Sequence, residues 1–331
     1  MTTTLPPSTA WRERVAPDEA ARYARHADVF AGIQQRKNER WGNGRTLHRK
    51  QLAAARGTLE VLDGIPAYAA HGLFAQPMDH EVWVRLSNGG FDRAPDRVPD
   101  IRGFAMRVFG VEGDSALGNG PARSQDFTLI NQEVFAFPSS DEFVAFAAAA
   151  SNGNGELLKY LFRRHGVFGL PRQLALLART AGRPFSGFAT ETLFSCLPMA
   201  CGPYAVRVRL VPAASNGAPD GAAKADWGAD FARRLAAGPL HWDLQLQYYA
   251  SDGDTPIEDP TVNWPTPYTT VARLMLPPQD LASPEGEAFS REVEATVIDP
   301  WQALADHRPL GDIQRARKAV YYRSQQGRGA G

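Results

Sequence analysis

The chain has 331 residues, with 36 lysines and arginines against 36 aspartates and glutamates. That length suits one large domain or two modest ones and is enough to bury a sizeable core. The balanced charge asks for neither nucleic acid nor an anionic membrane surface, and no run is long and apolar enough to span a bilayer. Residues 1–16 are polar and proline-bearing, lack the apolar stretch of a secretory signal, and are expected to form a loose arm on a cytoplasmic protein. From Pro17 to Trp41, Tyr23, Ala27, Phe30 and Ile33 recur at helical spacing. Trp41-Gly42-Asn43-Gly44 ends that helix, and Arg45-Thr46-Leu47-His48 follows at once. Strand patterns come next, over Thr58–Leu62 and Glu81–Ser87. In the second, alternation places Trp83, Arg85 and Ser87 on one face and Val82, Val84 and Leu86 on the other.

Gly103–Phe109 and Phe127–Asn131 read as further strands. Ser139 with Glu142 has the form of a capping box and opens an alanine-rich helix through Ala150. Gly155–Thr180 carries two helical stretches broken near Gly166–Pro171. Tyr204–Val211 is a strand pattern, and Pro212–Ala225 is a Gly/Ala/Pro-rich loop. Leu244–Tyr249 and Thr269–Met275 read as strands, Asp280–Glu294 and about Ile313–Arg323 as helices. Ser324–Gly331 is a low-complexity tail, expected to be flexible. Strands joined by short turns or helical insertions, without regular alternation, predict an α+β chain: an antiparallel sheet or barrel with helices outside it. Cys196 and Cys201 fit no zinc spacing and form no disulfide framework; they read as idle thiols.

The chemistry-bearing residues are few. Arg317 and Tyr321 lie four apart, on one helix face. A guanidinium beside a phenol favours the phenolate, which can ligate ferric iron. An ordinary surface pair has the same spacing. His48 has Arg45 three residues before it, and Arg45 and Arg85 are placed to hold an anionic group. Ser87 shares a strand face with Arg85 and can accept from one nitrogen of His48, leaving the other as a base. Asn131 closes the run Asp126-Phe127-Thr128-Leu129-Ile130-Asn131; it suits a site or a simple backbone turn.

Taken together these residues resemble the haem catalase family. Arg45-x-x-His48 is similar to its distal histidine motif, and Val84-Arg85-Leu86-Ser87 to its Val-Arg-Phe-Ser. Asp100-Ile101-Arg102-Gly103-Phe104-Ala105 is similar to its Asp-x-Arg-Gly-Phe-Ala. Asn131 with Val134-Phe135 resembles its distal asparagine segment, and Arg317-x-x-x-Tyr321 its proximal motif. The likeness spans roughly residues 40–328, in order. It implies a catalase-like antiparallel β-barrel, residues 1–331 as one domain, with a C-terminal helix ligating haem b. His48 and Asn131, with Ser87, would be catalytic. Tyr321 would be the axial iron ligand, tuned by Arg317, and Arg45, Arg85 and Arg328 would bind propionates.

The length resembles that of short bacterial catalase-related peroxidases. Where the family has a second phenylalanine after the distal asparagine, this chain has Ala136, which leaves more space near the distal pocket. Leu47 before the histidine leans toward peroxide heterolysis, since relatives that dehydrate fatty-acid hydroperoxides tend to have threonine there. The resemblance thus implies a haem peroxidase/catalase cleaving hydrogen peroxide, its oxidised cofactor reduced by an organic donor or a second peroxide, in the response to oxidative stress. The alternatives are an organic, fatty-acid hydroperoxide-transforming haem enzyme and a haem-binding sensor with vestigial activity. Expected partners are peroxide and a small organic donor, with no nucleic acid, no membrane, and a homodimeric assembly.

Overall fold

The computed structural model describes residues 6–330. Nine strands are present among them: β1 (Gln51–Val61), β2 (Asp79–Asn88), β3 (Arg102–Val108), β4 (Gln125–Ile130), β5 (Leu193–Phe194), β6 (Met199–Cys201), β7 (Tyr204–Pro212), β8 (Leu240–Tyr248) and β9 (Tyr268–Leu276). Their order is β5-β4-β3-β2-β1-β9-β8-β7-β6, and β5 also pairs with β7. That last pairing closes eight strands into a barrel in which every pairing is antiparallel. One edge of β7 is shared: Arg209 and Leu210 face β5, while Tyr204–Val206 face β6.

The barrel follows from period-two burial. On β2, Val82, Val84 and Leu86 are fully buried. With Phe104, Met106, Leu129, Leu244 and Leu274 they belong to one core cluster, and side chains of this size fill an eight-stranded interior. Trp83, on the other face, packs edge-on against Phe289 at 5.2 Å between ring centroids. Strand β1 begins seven residues before the strand expected from Thr58. Its first half is Gln51-Leu52-Ala53-Ala54-Ala55-Arg56-Gly57, and alanine and glycine carry little strand signal. They are there because the strands crowd. A Cβ on Gly57 would lie 2.3 Å from Leu276 Cδ2 and 2.6 Å from Met275 O.

Six α-helices surround the barrel: α1 (Glu19–Trp41), α2 (Ser140–Ser151), α3 (Asn154–Ala181), α4 (Trp227–Ala237), α5 (Pro284–Ala295) and α6 (Asp312–Arg328). Ser139 caps α2 by accepting from Glu142 N; the Glu142 carboxylate turns to Arg164 instead of back to the cap. The expected break in α3 falls at Gly166, with φ 66° and ψ −178°. Helix α4 was not anticipated, although Asp226 caps it through Ala229 N at 2.9 Å. Helix α6 runs five residues past Arg323 before ending at Gly329, so most of the expected tail is helical. Residues 6–16 are tied down: Trp11 Nε1 donates to Pro203 O, and Glu13 accepts from Arg308, Arg315 and Gly311 N. Arg315 on α6 also bonds Glu19 and Glu258. Among the described residues no helix is long and apolar enough to cross a membrane.

Candidate active site

A cavity of about 410 Å³ lies where β2, β3 and β4 meet α1, α2 and α6, a size typical of small-molecule sites. Arg45, His48, Arg85, Ser87, Thr128, Gln132, Arg317, Tyr321 and Arg328 all reach its wall. The remainder is largely apolar, with Leu47, Phe91, Phe135, Ala136, Phe137, Phe143, Phe146, Ile298 and Val320.

His48 is held in an unusual backbone conformation, φ 50°, by hydrogen bonds on both sides. Its N donates to Gly89 O at 3.0 Å and its O accepts from Arg85 Nη2 at 2.8 Å. The ring Nδ1 lies 3.0 Å from Ser87 Oγ. Gly103, paired with Ser87 on the neighbouring strand, makes room for this contact. A Cβ there would stand 2.5 Å from His48 Nδ1 and 2.8 Å from Ser87 Oγ. His48 is partly buried and lines the cavity. Burial, then the charges of Arg85, Arg317 and Arg45, holds the imidazole down to about 3. It is therefore neutral at ordinary pH.

Tyr321 lies on α6, and its hydroxyl accepts from Arg317 Nη2 at 2.7 Å. The same guanidinium is fixed by Thr128 Oγ1 at 3.0 Å and Gln314 Oε1 at 3.1 Å. Thr128 is on the outward face of β4, where period-two reading of the run Asp126–Asn131 would have found it. Arg45, Arg85 and Arg328 converge on Glu294 at the end of α5. Arg85 bonds its carboxylate at 2.8 Å and Arg45 at 3.0 Å, and Arg45 and Arg328 also donate to its carbonyl. No sequence signal marked Glu294.

Asn131 is buried, and it is not among the residues that line the cavity. Its Oδ1 accepts from Arg102 N at 2.8 Å and its N donates to Arg102 O at 3.1 Å, so it continues the β3–β4 ladder. Ile130 and Gln132, on either side, reach the wall. Cys196 also lines the cavity, and its Sγ donates to Gln132 O at 2.7 Å. Burial pushes this thiol up to about 12, so it stays protonated.

Among the described residues no cluster of three or more His, Cys, Asp or Glu side chains could hold a bare metal ion. Three guanidiniums around one carboxylate leave two positive charges over, and Arg328 Nε is buried without a partner. That donor set, beside apolar walls and a phenol, suits a flat apolar group bearing two carboxylates, as haem does.

The sequence matches no protein-family model and no curated protein. The fold does have solved relatives. A fungal catalase aligns with a TM-score of 0.64 at 16% identity, a bacterial catalase with 0.65 at 16%, and catalase A from Saccharomyces cerevisiae with 0.67 at 17%. Each alignment covers 100% of this chain and, respectively, 66%, 64% and 68% of the catalase. The chain thus has the catalase fold, an antiparallel barrel with surrounding helices, and spans about two thirds of the length of these catalases.

Proposed function

We propose that the chain is a haem-dependent enzyme that cleaves hydrogen peroxide, of the catalase-related peroxidase type. The observation that carries this is the meeting, in one cavity, of the His48–Ser87 pair, the Arg317-bonded phenol of Tyr321 and three arginines gathered on Glu294, two on its carboxylate and Arg328 on its carbonyl. In this assignment Tyr321 Oη would hold the iron, and Arg317, hydrogen-bonded to that oxygen, orients it. Arg45, Arg85 and Arg328 hold the two propionates through charge-assisted hydrogen bonds. Haem b, when bound, supplies the redox chemistry of peroxide cleavage.

The chain's own residues move the proton. His48 enters neutral. With Ser87 Oγ accepting from Nδ1–H, Nε2 is a free base that takes a proton from one peroxide oxygen and returns it to the other as the O–O bond breaks. Ser87 and Gly103 fix the ring plane. Asn131 supports this wall through the Arg102 backbone, and the proton chemistry rests on His48. Ala136 opens the apolar side, so a small organic donor reaches the cofactor edge. The phenylalanines at 135, 137, 143 and 146 favour an organic hydroperoxide as a second oxidant beside hydrogen peroxide.

The test is reconstitution with ferric haem, followed by oxygen release and phenol oxidation from hydrogen peroxide, in wild type and His48→Ala. Both activities should fall by about 10²–10⁴-fold in the variant while the haem absorption band remains. A His48→Ala protein that keeps both activities would remove histidine from the chemistry.

A further inference from the structure

We infer that α3 docks the protein on anionic lipid surfaces, a property independent of the haem assignment. Ten large hydrophobic side chains are exposed among the described residues, and five of them belong to this one helix: Leu158, Phe162, Val167, Phe168 and Leu174. Scattered singly such residues mean little; gathered on one element they mark an interaction face. Their placement is specific. The chain turns at Gly166, so Val167 and Phe168 stand at the corner between the two limbs of α3, 62% and 96% exposed. Phe162, one turn before, is 52% exposed.

Charge decides what covers this face. Between Asn154 and Ala178 the helix carries Lys159, Arg163, Arg164 and Arg172 against Glu156, and Arg164 is paired with Glu142 of α2, so four minus two leaves +2. The chain as a whole is neutral, so its average conceals a basic, apolar-tipped projection. A second copy placed face to face would bring like positive charge against like, including Arg163 and Arg172 on each side, which disfavours self-association through this surface. An anionic bilayer meets both features: basic side chains lie at the headgroups while Phe162, Val167 and Phe168 enter the acyl boundary.

The helix is fastened to the rest of the protein. Leu161 is buried, and Arg164 bonds Glu142 of α2 at 2.7 Å. Phe143, Val144 and Ala147 of α2 line the cavity, so docking brings that wall close to molecules dissolved in the membrane. Whole-chain net charge, from which no membrane partner is expected, does not register this local pattern.

The experiment is co-sedimentation of the full chain with vesicles of phosphatidylcholine alone or mixed with phosphatidylglycerol. Wild type should favour the anionic vesicles by at least about tenfold, with the preference shrinking as salt rises. The pair Val167→Ser/Phe168→Ser and the pair Arg163→Gln/Arg172→Gln should each lower that binding by about tenfold or more. Far-ultraviolet circular dichroism and the thermal midpoint should not change, because these side chains are exposed. The proposal is overturned if wild type ignores vesicles, if it binds neutral and anionic ones alike, or if either folded pair of substitutions binds like wild type. It is equally overturned if Val167→Ser/Phe168→Ser converts a dimer to a monomer and leaves vesicle binding intact.

Discussion

Gly103→Ala tests whether the His48–Ser87 contact is built by the strand beneath it. The new methyl would lie 2.5 Å from His48 Nδ1, 2.6 Å from Cε1 and 2.8 Å from Ser87 Oγ. Comfortable carbon contacts begin at about 3.5 Å, so the intrusion on the ring is about 1 Å. The imidazole has no easy retreat, since its own N and O are bound to Gly89 and Arg85. Overpacking of this kind costs about 1–3 kcal/mol. For 331 residues, at about 2.1 cal/mol/K per residue, that lowers the thermal midpoint by about 1–4 °C. The chemistry should suffer more, since an error of about 1 Å in a catalytic group costs on the order of 10²-fold in turnover. Haem uptake, which the proposal assigns to Tyr321 and the arginines, should hold. Calorimetry and peroxide turnover are the assays, with Gly155→Ala, where nothing lies within 4 Å, as the control. A Gly103→Ala protein with wild-type midpoint and turnover would refute the idea that this glycine shapes the site.

Tyr321→Phe should abolish or strongly weaken haem uptake, read by titrating the apoprotein and following the absorption band; unchanged uptake would remove the phenol from the ligand set. Acid stability should be governed by buried histidines. His307 Nε2 accepts from Leu73 N and Nδ1 donates to Ala200 O, and burial depresses its pKa from 6.5 to about 4. The folded state therefore refuses a proton that the unfolded chain accepts, so stability is full above about pH 6.5 and falls as pH drops toward 4, by on the order of 3 kcal/mol. Asp299, raised by burial to about 6, works oppositely, adding stability as pH falls from about 6 to 3.8. His307→Gln should flatten the acid limb of a urea-midpoint profile and Asp299→Asn should steepen it. Arg107→Leu should cost about 3–5 kcal/mol in urea denaturation, because it strands the buried Asp126 carboxylate that Arg107 grips at 2.9 and 2.7 Å.

What could be read from the residues was whatever had a short period or a local motif. The alternation in β2 placed Arg85 and Ser87 together because strand geometry is fixed over a few residues, and the Arg317/Tyr321 spacing did the same for α6. Helix α4 starts directly after the Gly/Ala/Pro-rich stretch Pro212–Ala225, whose loop composition hides the helix start at Trp227. Strand β1 hid in alanines chosen for close packing, and β5 and β6, at two and three residues, are shorter than any pattern. The site was legible as a set of residue types and only partly as an arrangement. Glu294 joins Arg45 and Arg85 across more than 200 positions of chain, a contact no local spacing encodes. Asn131 marks the same limit: β4 ends at Ile130, and beyond a strand end period two no longer says which way a side chain turns.

Arg315 gathers Glu13, Glu19 and Glu258 around one guanidinium on the helix that carries Tyr321. In the order of synthesis this joins early residues to late ones. The barrel and the five other helices precede α6 in the chain, and the cavity lacks the side that carries Arg317 and Tyr321 until α6 docks, held through Arg315 to Glu13 and Glu19, 302 and 296 residues earlier. A prosthetic group held by Tyr321 would therefore be held only once α6 has been made and has docked.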